Sequence, residues 1–259
     1  EAARTAQAFF TVSASTRAAI VEHLGVPAER VHLVPNAADH FTPLPRAHPN
    51  GTRPGDPATN AARPADAGES SARPARTTEA ARGALLCVGH LEPRKNLALV
   101  LHALAHDREL PRAVFAGAAK GDHAEELDRL ARTLGVRERV TFLGPFGEGE
   151  LARLYAECAA VVLPSRVEGF GIAALEAQRA RAPLAIARIP ALVEVAGAST
   201  PSFDPGDAAE CARAIRAALS RDAKALELDA RHAARFTWDA SAHAWCDALC
   251  AVHASNRLP

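Results

Sequence analysis

The fold is decided by the stretch AAVVLPSRVEGFGIAALEAQRA, which occupies residues 159–180. Residues 159–164 are apolar and rich in valine, a composition typical of a strand buried on both faces. Gly169 and Gly171 mark a turn, and the residues after them predict a helix. A buried strand that leads through a glycine turn into a helix is the repeating unit of a parallel α/β sheet.

The same alternation extends in both directions along the chain. Strands are predicted at 8–13, 31–35, 84–89, 112–117, 139–144, 159–164 and 183–187, with helices between and after them. Ser13 or Ser15 is expected to cap the first helix, and Gly25 to end it. The pattern predicts an α/β fold with a doubly wound, parallel, Rossmann-like sheet at 83–236. In such sheets ligands bind beyond the carboxyl ends of the strands.

Residues 42–82 have a different composition. They are rich in proline, glycine, alanine, arginine and small polar residues, and they lack a periodic apolar face. Such a segment buries too little apolar surface to offset the entropy lost on ordering. We therefore predict a disordered linker or surface insertion at 42–82.

Charge and hydropathy exclude several classes of function. The 259 residues contain 30 Lys plus Arg and 30 Asp plus Glu, so the net charge is zero. No overall field attracts nucleic acid, and no run of 18 apolar residues predicts a membrane span. The chain has no methionine and opens inside a predicted strand, so we expect it to be a fragment or truncated product.

Five cysteines are present, and none forms a CxxC pair. Most lie in apolar stretches, which predicts buried free thiols in a reducing compartment. Cys246 and Cys250 stand four residues apart on a predicted helix. They are expected to lie on a core face rather than to bind a metal, and no metal site is predicted.

Charged side chains follow two of the predicted strands. Arg94 and Lys95 stand where the loop after 84–89 opens a helix, a position that suits a phosphate or is simply a solvated basic helix start. Glu168 and Glu176 flank the glycine turn. Carboxylates there suit the hydroxyls of a sugar, although, taken in isolation, a solvated helix face for Glu176 and a glycine turn needed only for geometry are the better explanation. Together the four residues point to a phosphorylated sugar.

Four stretches, in chain order, resemble the retaining, GT-B-fold glycosyltransferases of the group 1 type. They are VSASTRAAIVEHLGVPAERVHLVPNAAD, LLCVGHLEPRKNLALVLHALA, VTFLGPFGEGELARLYAECAAVVLPSRVEGFGIAALEA with the E-x7-E signature, and FTWDASAHAWCDAL. The resemblance covers nearly everything except the linker. It implies a GT-B C-terminal domain at 83–236, which binds a nucleotide sugar. Residues 1–41 would be a remnant of the N-terminal acceptor domain and its crossover, and the helix at 237–259 would pack on that domain.

The resemblance also implies roles for individual residues. Lys95 and Arg94 would hold the diphosphate of the donor, and the backbone amides of Gly169, Phe170, Gly171 and Ile172 the distal phosphate and the sugar. Glu176 would bind the ribose hydroxyls, and Phe146 would lie beside the base. Glu168 would contact the sugar near the reacting carbon. Glu168 and Lys95 are the expected catalytic residues.

The implied reaction is a hexosyl transfer from a UDP- or GDP-sugar with retention of configuration, without cofactor or metal. The acceptor stays open among glycans, lipid-linked molecules and small molecules. The implied location is the cytoplasm, with peripheral attachment to the inner face of the membrane as an alternative. The missing N-terminal domain would come in cis or in trans. The alternative function is a non-catalytic module that binds a nucleotide or nucleotide sugar.

Three features depart from the family pattern. His90 stands where the family usually has an arginine that helps to bind the diphosphate. Arg179-Ala180-Arg181-Ala182-Pro183 replaces a small glycine-containing turn. Only about 40 residues of the acceptor domain are present.

We predict that donor affinity falls as the pH rises above about 7, because a histidine at position 90 loses its positive charge in this range. Titration calorimetry in mildly acidic and mildly basic buffers measures the effect. An affinity that is the same in both buffers would contradict the role given to His90.

Overall fold

The computed structural model describes residues 5–46 and 79–255. The strands in these ranges are Phe9–Thr11 (β1), Val31–Leu33 (β2), Leu85–Val88 (β3), Ala113–Ala116 (β4), Val140–Gly144 (β5), Ala160–Leu163 (β6), Leu184–Ala187 (β7) and Ser202–Phe203 (β8). The helices are Ala14–Leu24 (α1), Leu97–His106 (α2), His123–Thr133 (α3), Glu148–Glu157 (α4), Ile172–Arg179 (α5), Pro190–Ala196 (α6), Ala208–Leu219 (α7), Ala223–Ala233 (α8) and Trp238–Ser255 (α9). A 3₁₀ turn, Pro93–Lys95, lies between β3 and α2.

The main sheet contains six parallel strands in the order β5-β4-β3-β6-β7-β8. The chain moves outward from β3 to β5 and then returns to the other side of β3. The order therefore reverses between β3 and β6, which is where ligands bind in sheets of this kind. Every residue of β4, β6 and β7 is buried, so both faces of the sheet are covered. The predicted doubly wound α/β sheet is confirmed.

The backbone is tightly packed at the carboxyl ends of β3 and β4. Gly117, directly after β4, has φ 148°, and a Cβ atom there would lie 2.0 Å from the carbonyl oxygen of Gly89. Only glycine fits this approach without moving the backbone. The loop after β3 is thereby fixed against its neighbour, which holds the start of α2 in place.

The predicted strands are present, and one strand was missed. β8 contains only two residues, Ser202 and Phe203, and pairs with the end of β7. Two residues are too few to show a periodic pattern. Phe203 is nonetheless fully buried, so β8 closes the sheet at that edge.

At both ends of the predicted linker, 42–82, described residues pack on the main domain, and residues 47–78 lie outside the described residues. Arg46 donates hydrogen bonds from its two terminal nitrogens to the carbonyl oxygens of Tyr155 and Cys158, each 2.6 Å long. These carbonyls belong to the end of α4, where no intrahelical partner exists. Ala81 is fully buried. The composition of 42–82 does not reveal the hydrogen bonds of Arg46 or the burial of Ala81, because each involves a single residue.

The N-terminal segment, 9–41, contains a second sheet of two strands. β1 and β2 pair in parallel, and α1 connects them. Ser13 caps α1 as predicted, by accepting from the N–H of Thr16. Glu194 of α6 also accepts from the N–H groups of Ala14 and Ser15, at 2.8 and 3.2 Å. The first turn of α1 is therefore fastened to the main domain.

α9 lies against this N-terminal segment. The carboxylate of Asp39 accepts from the N–H of Trp238 and so caps α9. Further along α9, the ring of Trp245 lies 4.2 Å from that of Phe10. The proposed limits of the four units, 1–41, 42–82, 83–236 and 237–259, stay predictions.

The cysteines fall into two groups. Cys87, Cys158 and Cys211 are buried, and burial raises the pKa of each thiol, that of Cys211 to about 12. Cys246 and Cys250 are exposed on α9, so their predicted place on a core face is wrong. Among the described residues, no group of three His, Cys, Asp or Glu side chains is placed to hold a metal ion. None of the helices in those residues combines the length and apolar character needed to span a bilayer.

The arginine-rich turn after α5 keeps the backbone shape that glycine normally supplies. Arg181 has φ 52°, in the left-handed region where a residue other than glycine costs about 1–3 kcal/mol. The N–H groups of Ala180, Arg181 and Ala182 bond to the last carbonyls of α5. Arg181 thus places a strained residue where the family has glycine, but the hydrogen bonds of the turn are kept.

Candidate functional site

The loops after β3 and β6 meet at the reversal of strand order, where Lys95 and Arg94 both form ion pairs with Glu168. Nζ of Lys95 lies 2.6 Å from Oε1 of Glu168. The two side chains are only 17% and 12% exposed. A charge pair that is largely removed from water needs close geometry to be tolerated. The structure therefore brings the two predicted catalytic residues together.

Asn96 positions this pair. It follows the 3₁₀ turn with φ 55°, a conformation that asparagine adopts more readily than most residues. Its side-chain NH₂ donates to the carbonyl oxygens of Pro164, at 3.0 Å, and Pro205, at 2.9 Å. Asn96 is buried, so these bonds tie the loop of Lys95 to the end of β6.

Glu168 accepts two further hydrogen bonds. Ser165 donates from its hydroxyl at 2.7 Å, and Arg94 donates from a guanidinium nitrogen at 3.0 Å. Burial by itself raises the pKa of the Glu168 carboxyl. The charge of Lys95 and the bonds from Lys95 and Ser165 outweigh burial, so the pKa lies below its usual value. Glu168 is therefore ionised at neutral pH.

Glu92, which sequence reasoning missed, extends the charge network. One of its oxygens lies 2.7 Å from Arg94, and the other lies 2.6 Å from Lys120. The hydrogen bond from Lys120 is the main reason that the pKa of Glu92 lies below its usual value. The network thus contains the cations Arg94, Lys95 and Lys120 and the carboxylates Glu92 and Glu168. Its net charge is one positive charge. This surplus favours an anionic ligand.

Glu176 occupies a separate and less polar position on α5. Its Oε2 accepts from the hydroxyl of Tyr155 at 2.9 Å, and its Oε1 lies 3.9 Å from Nε2 of His40. Burial raises the pKa of Glu176, and the hydrogen bond from Tyr155 and the electrostatic effect of the neighbouring His40 offset this only in part. Tyr155 is fully buried, so its bond to Glu176 is shielded from water.

The glycine turn presents the start of α5. Gly171 has φ 101°, and a Cβ atom there would lie 2.6 Å from a methyl carbon of Leu192. No side chain of the described residues caps α5. A helix start without a cap offers free N–H groups and the positive end of the helix dipole. The carbonyl of Gly169 is held from the other side by Ser13, at 2.6 Å, and by Thr16, at 3.2 Å.

The remaining predicted donor residues differ in exposure. The side chain of Phe170 is buried in a small cluster with Leu175 and Val195, and the partly buried Ile172 packs against that cluster. Phe146 follows β5 and lies partly buried against the main core. His90 is exposed at the end of β3. The roles of all four in donor binding stay predictions.

Other contacts describe the surroundings of the site. Arg166, two residues before Glu168, donates to the side-chain oxygen of Asn96 at 3.1 Å. The partners of Glu168 and Glu176 do not overlap, so the two carboxylates lie in different surroundings. Sequence reasoning also missed Tyr155 and His40. Tyr155 stands out in the sequence as the only tyrosine in the chain, whereas no feature of the sequence distinguishes His40.

The comparison with protein families decides the relationship. The family described as "Glycosyl transferases group 1" matches residues 72–235. The chain belongs to this family. The resemblance drawn from the sequence motifs is confirmed, and the Lys95–Glu168 pair and Glu176 all lie within the matched range.

Curated relatives in this family carry different names. D-inositol 3-phosphate glycosyltransferase 2 of Catenulispora acidiphila is 36% identical over 178 residues, which is 63% of this chain and 42% of the relative. The serotype-specific mannosyltransferase WbdA of Escherichia coli is 33% identical over 167 residues, which is 61% of this chain and 20% of the relative. The chain thus matches less than half the length of either relative.

Solved structures share the fold. HepE from Anabaena in complex with UDP matches with a TM-score of 0.72 and 20% identity, over 96% of this chain and 65% of that chain. Sucrose-phosphate synthase from Thermosynechococcus elongatus matches with a TM-score of 0.71 and 21% identity, over 95% of this chain and 58% of that chain. At these identities the likeness shows the fold alone, which is that of the GT-B glycosyltransferases.

The two carboxylates are expected to affect stability in opposite directions. At pH 7, Glu168→Gln should lower the free energy of unfolding by about 1.5–3 kcal/mol, because it removes a charge that is hydrogen-bonded to Lys95, Arg94 and Ser165. Glu176→Gln should raise that free energy, because the amide avoids burying a charge and can still accept from Tyr155. Urea unfolding from pH 7 down to pH 3 measures both effects.

The pH dependence comes from the directions of the two pKa shifts. The pKa of Glu168 is lowered in the folded protein, so its stabilisation is present above the unfolded-state pKa and is lost as the pH falls through the folded-state pKa. The pKa of Glu176 is raised, so its cost is present at neutral pH and disappears below the unfolded-state value of about 4.3. Both variants should therefore converge on the wild type in acid. Changes of the same sign at pH 7 would contradict the opposite effects assigned to Glu168 and Glu176.

Proposed function

We propose that the chain forms the donor-binding half of a retaining hexosyltransferase that uses a UDP- or GDP-sugar. The observation that carries the proposal is the Lys95–Glu168 pair at the reversal of strand order, in a chain of the group 1 family. An ion pair at this place combines a cation for the diphosphate with a carboxylate for the sugar.

Binding of the donor divides into two parts. The diphosphate lies at Lys95 and Arg94, with His90 nearby, and its distal phosphate accepts from the backbone N–H groups of 169–172. The uncapped start of α5 and the surplus positive charge of the network support this placement. The ribose lies at Glu176, and Phe146 lies beside the base.

The contacts of Glu168 bear on how configuration is retained. A carboxylate that already accepts from Lys95, Arg94 and Ser165, with a lowered pKa, is a weak nucleophile. We therefore assign Glu168 to positioning the sugar and Lys95, and not to a covalent intermediate of the kind that retaining glycosidases form. The acceptor attacks from the side of the leaving group, and the leaving diphosphate takes its proton. Lys95 stabilises the negative charge that develops on the diphosphate.

The names of similar proteins support this class of donor. A mannosyltransferase and an inositol phosphate glycosyltransferase are among the relatives, and HepE of Anabaena was solved with UDP-glucose. The acceptor is a glycan, a lipid-linked molecule or a small molecule. The acceptor domain is supplied from outside the described chain, in cis or in trans. A cytoplasmic location, with or without attachment to the inner face of the membrane, suits a nucleotide-sugar donor.

Binding of a nucleotide tests the donor site. The chain should bind UDP or GDP in titration calorimetry, and Lys95→Ala and Glu176→Ala should each weaken that binding by roughly 1.5 kcal/mol or more, about tenfold. Lys224→Ala and Glu22→Ala are matched controls, because both side chains are exposed in helices away from the site. They should leave the affinity unchanged.

The outcomes separate the possible functions. Binding that the site variants weaken supports the donor site. If sugar transfer is then absent even when the acceptor domain is supplied, the chain is a non-catalytic nucleotide-sugar module. Absence of binding to both nucleotides would contradict the proposed function.

A further inference from the structure

Three side chains from distant parts of the sequence form a line that ends at Glu176. Nε1 of Trp238, at the start of α9, lies 3.2 Å from Nδ1 of His40. Nε2 of His40 lies 3.9 Å from Oε1 of Glu176. The line therefore connects the last helix, the segment after β2 and the buried carboxylate of α5.

Trp238 fixes which nitrogen of His40 carries the proton. The indole nitrogen of tryptophan is a donor only, so Nδ1 of His40 must accept its hydrogen bond. In a neutral imidazole the proton then resides on the other nitrogen, Nε2. That N–H is on the side of the ring that faces Glu176.

The gap between His40 and Glu176 is too long for a direct hydrogen bond. Its 3.9 Å exceeds the 2.7–3.2 Å of a normal N–H···O bond. The two atoms are also complementary, because Nε2–H donates and the carboxylate oxygen accepts. A hydroxyl group does both, and one hydroxyl that makes two bonds of about 2.8 Å can span such a gap.

The other oxygen of Glu176 is already occupied. Its Oε2 accepts from the buried hydroxyl of Tyr155, which holds the carboxylate in one orientation. Oε1 is thereby turned toward His40. The side chain of His40 is 49% exposed, so a ligand can reach the gap from solvent.

We propose that His40 binds the nucleotide together with Glu176. One ribose hydroxyl accepts a hydrogen bond from Nε2–H of His40 and donates one to Oε1 of Glu176. This inference rests on the proposed function, since it concerns the ribose of the same donor. It adds a specificity-determining residue that no sequence motif indicated. It also makes α9 part of the site, because Trp238 sets the tautomer of His40 and Asp39 caps the helix that carries Trp238.

Calorimetry with nucleotides that contain or lack ribose hydroxyls tests the pair. His40→Ala should weaken the binding of UDP or GDP by about tenfold, the loss of one hydrogen bond to a neutral group. The same variant should bind the 2′,3′-dideoxy nucleotide as the wild type does. His243→Ala is the control, because His243 is an exposed histidine on α9 that contacts Asp239 instead. It should change neither affinity.

Each result bears on one claim. Unchanged binding of UDP and GDP by His40→Ala, beside a loss in Glu176→Ala, would overturn the role of His40 and leave the proposed function standing. An equal loss for the ribose and dideoxy nucleotides would also overturn it, since His40 would then act on another part of the ligand or on the fold. Failure of the wild type to bind either nucleotide would overturn the proposed function itself, and this inference with it.

Discussion

The ion pair between Lys95 and Glu168 is the contact on which the site depends. It joins the loops after β3 and β6, the two strands between which the sheet changes direction. Both side chains are largely removed from water, so neither charge is tolerated well without the other. Asn96 and Ser165 hold the pair from opposite loops. The position of the charges is therefore a consequence of sheet topology.

The two carboxylates of the site lie in opposite electrostatic environments. Glu168 is surrounded by cations and stabilises the folded protein, whereas Glu176 is buried beside Tyr155 and costs stability while it is ionised. A residue that lowers stability without a ligand is typical of binding sites, where the ligand supplies the missing hydrogen bonds. We infer that the ribose does this at Glu176, and that the diphosphate supplies the counter-charge that Lys95 now finds in Glu168.

Features that depend on local patterns could be predicted from the sequence. Valine-rich runs indicate the strands, and the position of charged residues after two of them indicates Lys95 and Glu168. Contacts between residues that are far apart in the sequence could not be predicted from it. Nothing in the composition of 42–82 shows that Arg46 caps α4, and nothing near His40 shows that it meets a tryptophan 198 residues later. The exposure of Cys246 and Cys250 was also missed, because a helical pattern does not state which face is covered.

A crystal structure of the chain with bound UDP or GDP tests the proposed donor site most directly. We expect the diphosphate to lie within hydrogen-bond distance of Lys95 and the start of α5. We also expect the ribose to lie at Glu176. A nucleotide bound elsewhere, with the Lys95–Glu168 pair unchanged and out of contact with it, would contradict the role of this pair in donor binding.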